Sequence, residues 1–136
     1  MKILWTTTLS TLLLILLTGC DSTYEHVFIV ENGLSEPITV EYMTLEIPSD
    51  SLYVRTIGAH QKDTIARKNA VRGRNEDAPD TYASFDEMTY FPLFRVRNMA
   101  GDTSTAPFRE RTEWTYTLIE QDLGQYDLFV DTTDFR

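Results

Sequence analysis

Cysteine is almost missing from this chain, since Cys20 is the only one in 136 residues. Everything after it is therefore without an internal disulfide or a Cys-built metal site. Its stability has to come from an apolar core. Histidine is nearly as scarce, with His26 and His60 alone, and neither sits in a motif. A hydrolytic triad would have only those two bases to draw on. HExxH, the P-loop and the dinucleotide fingerprint are all lacking. Positive charge is short as well: 12 Lys and Arg stand against 21 Asp and Glu, for a net charge of −9. That balance argues against a nucleic-acid partner and against electrostatic attraction to anionic lipid heads. There is no internal repeat, no low-complexity tract and no stretch of about 20 apolar residues that could cross a bilayer.

What is present is first of all an address. Met1 and Lys2 form a short positive region. Ile3 to Leu17 form a mostly apolar one broken by Thr6, Thr7, Thr8, Ser10 and Thr11, and small residues Thr18 and Gly19 follow. That order is a secretory signal, helical while it lasts. Leu17-Thr18-Gly19-Cys20 resembles the lipobox of bacterial lipoproteins. The resemblance implies that the signal, residues 1–19, is removed and that Cys20 carries a diacylglyceryl group and usually an acylated amine. Two or three chains hold a protein to a bilayer where one holds it only marginally, at about 0.8 kcal/mol per buried CH₂. A lone Cys in an exported chain is thereby accounted for.

The mature chain would have 117 residues, enough for one domain. Lys2 leaves with the signal, so 11 positive and 21 negative residues give it a net charge of −10. Residues 20–24 read as a short lipidated tether and 25–136 as the domain, which places the domain close to the membrane. Tyr, Phe and Thr are spread along it, types that fit a pleated, half-buried surface.

His26 to Glu31 and Pro37 to Met43 read as neighbouring strands, with direct antiparallel pairing expected between them. Leu52 to Ile57 alternates, with Leu52, Val54 and Thr56 on one face. The stretch from Thr64 to Val71 fits neither period and reads as a weak strand at Asp63 to Ala66, then an irregular loop, with a short helix as the alternative. Asp80 could cap one helical turn before Met88. Phe91 to Asn98 reads as a strand. Thr112 to Glu120 and Gln125 to Asp131, with Gly124 between them, form the clearest hairpin in the chain. The expectation is all-β: a single antiparallel β-sandwich, immunoglobulin-like in architecture, with Val40, Val54, Phe94, Trp114, Leu118 and Leu128 in one core.

The lipobox, the immediate β-domain, Phe28-Ile29-Val30-Glu31-Asn32 with Ile38-Thr39-Val40, and Tyr116 to Leu123 together resemble the short uncharacterised lipoproteins of Bacteroidota. That resemblance implies no activity. Surface-displayed members carry an acidic export signal after the Cys, whereas here only Asp21 is acidic among residues 21–24. The expected place is the cell envelope, on the periplasmic side of the outer membrane.

Several chemistries can be weighed. Lys62, Arg67, Lys68, Arg72 and Arg74 could hold an anion, but acidic Glu76, Asp77 and Asp80 follow and a solvated, self-neutralising loop is the preferred reading. Glu76, Asp77 and Asp80, or Asp127, Asp131 and Asp134, offer oxygens for Ca²⁺ without the regular loop that Ca²⁺ sites use. No metal or cofactor is expected. The densest aromatic stretch, Tyr82 to Phe94, is a core segment or a contact surface, and Tyr82, Phe85 and Tyr90 are its candidate ligand contacts. The functional expectation is a non-catalytic binding or assembly module, held to the membrane through Cys20, with an envelope protein or glycan as partner. A small envelope hydrolase, or an inhibitor of one, is the alternative.

Overall fold

The computed structural model describes residues 22–46, 51–72 and 76–135. The expected signal helix over 1–19, Cys20 and Arg74 lie outside the described residues. Seven strands follow in order: β1 (Ser22–Asn32), β2 (Ile38–Met43), β3 (Tyr53–Ile57), β4 (Lys62–Arg72), β5 (Leu93–Arg97), β6 (Trp114–Glu120) and β7 (Leu123–Val130). Two short 3₁₀ turns, Arg111–Glu113 and Thr132–Phe135, complete the regular structure, and no α-helix occurs among the described residues. The fold is all-β.

The strands form two open sheets, ordered β4-β1-β7-β6 and β3-β2-β5. Their inward side chains share one core, in which Phe28, Val30, Tyr126 and Leu128 of the first sheet meet Ile38, Val40, Tyr42 and Val96 of the second. Phe28 stacks on Tyr90 and Tyr126 at 4.9 and 5.2 Å between ring centroids, so aromatic rings knit strands and loops together.

Three expectations about pairing are corrected. The strands are not all antiparallel, because β1 and β7 run parallel from Glu25↔Leu123 to Asn32↔Val130. They can do so because the rest of the domain serves as the long crossover that parallel strands need. Nor do β1 and β2 pair: they belong to different sheets, and the chain crosses between layers at residues 33–37. Buried Asn32 organises that crossing. Its amide nitrogen donates to the carbonyls of Glu36, Ile57 and Gly58, and its oxygen accepts from the Leu34 N–H. Lastly, β4 is one long strand rather than a weak strand and a loop. A bulge at Ile65, where Phe28 pairs Ala66 but Ile29 pairs Thr64, breaks the alternation that would have revealed it.

The expected core is partly corrected too. Val40, Phe94, Trp114 and Leu128 are buried, but Val54 is 55 % exposed and Leu118 41 % exposed. For β3 the alternation was right and the face wrong. Register pairs Ile38 with Ile57 and Val40 with Arg55, which turns Tyr53, Arg55 and Ile57 inward and Val54 outward beside Glu41. Leu118 is on the inward face of β6, opposite Gly124, but near the strand end where burial has run out. The linker residues Ser22, Thr23 and Tyr24 belong to β1, so only Asp21 separates the strand from Cys20.

Candidate functional site

The segment from Ala78 to Phe91 closes one end of the core, and it contains the three candidate contacts. Turns replace the expected helix: Tyr82 N–H donates to the Asp80 carboxylate at 3.3 Å, and Ala83 N–H to the Asp80 carbonyl at 3.2 Å. Asp80 caps the turn as its position suggested. It also accepts from the Tyr126 hydroxyl at 2.8 Å and forms an ion pair with Arg111. One carboxylate therefore fastens the covering segment both to β7 and to the turn before β6.

Tyr82 and Tyr90 are each only 2 % exposed. Their rings pack on Phe28, so they are core rather than contact surface, and burial raises both phenols above their ordinary pKa. Phe85 differs. It is 49 % exposed, on the rim of a hollow of about 570 Å³ shared with Asp86, Glu87 and Glu110. The sequence placed all three together because its aromatic density cannot tell a ring under a loop from one on top of it.

His26 and His60 do not converge. His26 is fully buried on the inward face of β1 and ringed by Tyr24, Tyr116 and Tyr126. Gly124 makes room for it, since a Cβ there would fall 2.8 Å from His26 Cδ2 and 2.7 Å from the Tyr116 ring. Nε2 donates to the Pro79 carbonyl at 2.9 Å, which leaves Nδ1 as a buried lone pair with no partner. Burial, foremost, lowers its pKa; nearby Lys68 acts in the same direction. His60 is exposed, in the left-handed region at φ 54, and its N–H donates to the carbonyl of Leu34, two residues beyond the far end of β1. Six residue steps of strand separate His26 from Asn32, roughly 20 Å at about 3.3 Å per residue.

Of the basic residues expected in a loop, Lys62, Arg67, Lys68 and Arg72 lie instead on β4, an edge strand. Arg67 faces outward and pairs with Glu25 at 2.9 Å. Lys68 faces inward opposite His26; its ammonium donates to the Tyr82 hydroxyl at 3.0 Å and stands 5.2 and 5.5 Å from the Tyr82 and Tyr90 ring centres. Desolvation lowers its pKa, with Glu46 opposing. The acidic groups considered for Ca²⁺ do not gather either, and no cluster of three metal-ligating side chains occurs among the described residues.

The arrangement that sequence reading missed is the cleft between the facing edges of β3 and β4, about 180 Å³ in volume. Tyr42 and Tyr53 stack along it at 5.3 Å between centroids, and Arg55 lies beside the Tyr42 hydroxyl. Tyr42 donates to the Ile65 carbonyl and Tyr90 to the Arg67 carbonyl at 3.3 Å, so two β4 carbonyls on the cleft side are already occupied. Among the described residues no carboxylate forms an ion pair with Arg55. An arginine on the inward phase of a strand is the available signal, concealed because Val54 gives the opposite phase of the same alternation an apolar face.

Comparison with known protein families, curated proteins and solved structures finds no match to this chain.

Proposed function

We propose that this chain is a lipid-anchored binding or assembly module of a bacterial cell envelope, held through Cys20 on the periplasmic side of the outer membrane and acting without catalysis. The two sheets stack as a β-sandwich. Its likeness to the immunoglobulin domain is one of layers only, for the immunoglobulin sheets ABED and CFG differ from the order β4-β1-β7-β6 and β3-β2-β5. The observation that carries the reading is the sequence Leu17-Thr18-Gly19-Cys20 with β1 beginning only two residues later. At about 3.3 to 3.6 Å per residue the start of the sheet lies roughly 7 Å from the acylated residue. A domain so tethered works at the bilayer surface. The sealed environment of His26 and its separation from His60 favour binding over hydrolysis.

Metabolic labelling with a fatty-acid analogue and the intact mass of the membrane-extracted protein test the anchor. Label and mass increment are expected on the wild type and absent from Cys20→Ser. A Cys20→Ser protein that is still labelled and membrane-bound overturns it. Crosslinking in native membranes tests the module, with recovery of an envelope protein or glycan expected. Hydrolysis of an envelope substrate that disappears in His60→Ala would replace this reading with the enzymatic one.

A further inference from the structure

Residues 78–82 cross the inner face of the four-stranded sheet as a strap, and every strand beneath contributes a polar side chain that holds it. From β4, Lys68 donates to the Tyr82 hydroxyl at 3.0 Å. From β1, the Tyr24 hydroxyl lies 3.4 Å from Thr81 Oγ1, and His26 Nε2 donates to the Pro79 carbonyl at 2.9 Å. From β7, the Tyr126 hydroxyl donates to the Asp80 carboxylate at 2.8 Å, and from β6 that of Tyr116 donates to the Ala78 carbonyl at 2.5 Å. Histidine is the residue type among these whose charge ordinarily changes near neutrality.

The surroundings of His26 suit the neutral ring and not the cation. The ring is fully buried, and Nδ1, the atom a proton would join, has no acceptor among the described residues. Tyr24 of its own strand, Tyr126 of β7 and Tyr116 of β6 enclose it at 4.9, 5.2 and 6.1 Å between centroids. Lys68 stands directly across the ladder on β4, and the strap presents Asp80 and Tyr82. A protonated ring would be a second cation beside Lys68, with no new hydrogen bond to offset its desolvation. Asp80 opposes that cost, but its carboxylate is already paired with Arg111.

Water would relieve such a charge, and the strap is what keeps water out. We propose that the strap is released by acid: a proton on His26, repelled by Lys68 and unsolvated while the domain is closed, opens residues 78–82 and leaves the strands beneath paired. The opening is local because the strap is held to the sheet mainly by side chains, with Ala78 N–H donating to the Gln121 carbonyl, whereas β1 is laddered along its length to both β4 and β7. Once open, His26 regains its ordinary proton affinity near pH 6.5. Between pH 7.5 and 5.5 the open form should therefore gain about tenfold.

Hydrogen–deuterium exchange of the full-length protein in detergent micelles at those two pH values, each corrected for the intrinsic rate, tests the device. The amides of Ala78, Tyr82 and Ala83, all hydrogen-bonded in the closed strap, should exchange about tenfold faster at the lower pH. The Ser104 amide, bonded to Val96 in the other sheet, should change by less than about twofold. In His26→Gln, whose side-chain amide can still donate to the Pro79 carbonyl, the rise should vanish. Lys68→Met removes the neighbouring cation, and the rise should fall well short of the wild-type value. No rise in the wild type, an equal rise in His26→Gln, or a rise shared by Ser104 overturns the proposal. If His26→Gln does not fold, Lys68→Met decides, and the full rise in that variant overturns it.

Discussion

β3 and β5 are both five residues long, and both pair antiparallel with β2, yet they have opposite fates. β5 buries Phe94 and Val96, whereas β3 buries only Ile57. Hydrogen bonding to β2 cannot be the cause, since both have it. What differs is the covering. On the β5 side Phe108 and Trp114 pack against Phe94, and the Trp114 indole donates to the Phe108 carbonyl at 2.8 Å, closing that flank. On the β3 side the neighbour across the cleft is another edge, β4. Strand pairing fixes a backbone, but the energy of a sheet comes from what its faces touch.

The comparison is broken most directly by Phe94→Ala, which should cost about 3–5 kcal/mol, as loss of a large buried aromatic does. Urea unfolding followed by tyrosine and tryptophan fluorescence reads it, and a cost under about 1 kcal/mol would mean that the β5 flank is not closed in solution. Next in size is Asp80→Ala. It leaves Arg111 and the Tyr126 hydroxyl without their partner at a mostly buried position, and a loss of about 2–3 kcal/mol is expected. Proteolysis should then begin between residues 78 and 91.

The inner face of β1 under that segment should sense pH. His26 has a folded-state pKa below its ordinary 6.5, so the unfolded chain binds the proton more readily. The stabilisation from keeping His26 neutral is complete above pH 6.5 and is lost as pH falls through the lower, folded-state value. Unfolding midpoints at pH 7.5 and 5.5 should differ more in the wild type than in His26→Gln; equal differences would refute the assignment. Tyr42→Phe, which leaves the Ile65 carbonyl without its hydroxyl, should cost about 1 kcal/mol. At the small end, Val54→Thr on the open flank should stay within about 0.5 kcal/mol of wild type. A larger loss would place Val54 in a core after all.

Alternation along Ile38 to Met43, Trp114 to Leu118 and Tyr126 to Val130 made the strands legible, because a period of two survives whatever the strand later pairs with. The hairpin of β6 and β7 was legible for the same reason, its partners being adjacent in sequence. Phase was harder to read. On β3 either face offered apolar side chains, and only pairing with β2 turned Arg55 in and Val54 out. On β4 a single bulged residue erased the period.

By itself the sequence determined the all-β class, the scarcity of bases and thiols and the net negative charge, all of which reside in composition or in contiguous residues. Only the tertiary structure decided the parallel pairing of β1 with β7, the burial of Tyr82 and Tyr90 and the exposure of Phe85, and the meeting of β3 with β4 around Arg55. Those depend on contacts between residues far apart in the chain. Such contacts are chosen by which faces can be covered together, and no local pattern encodes that choice.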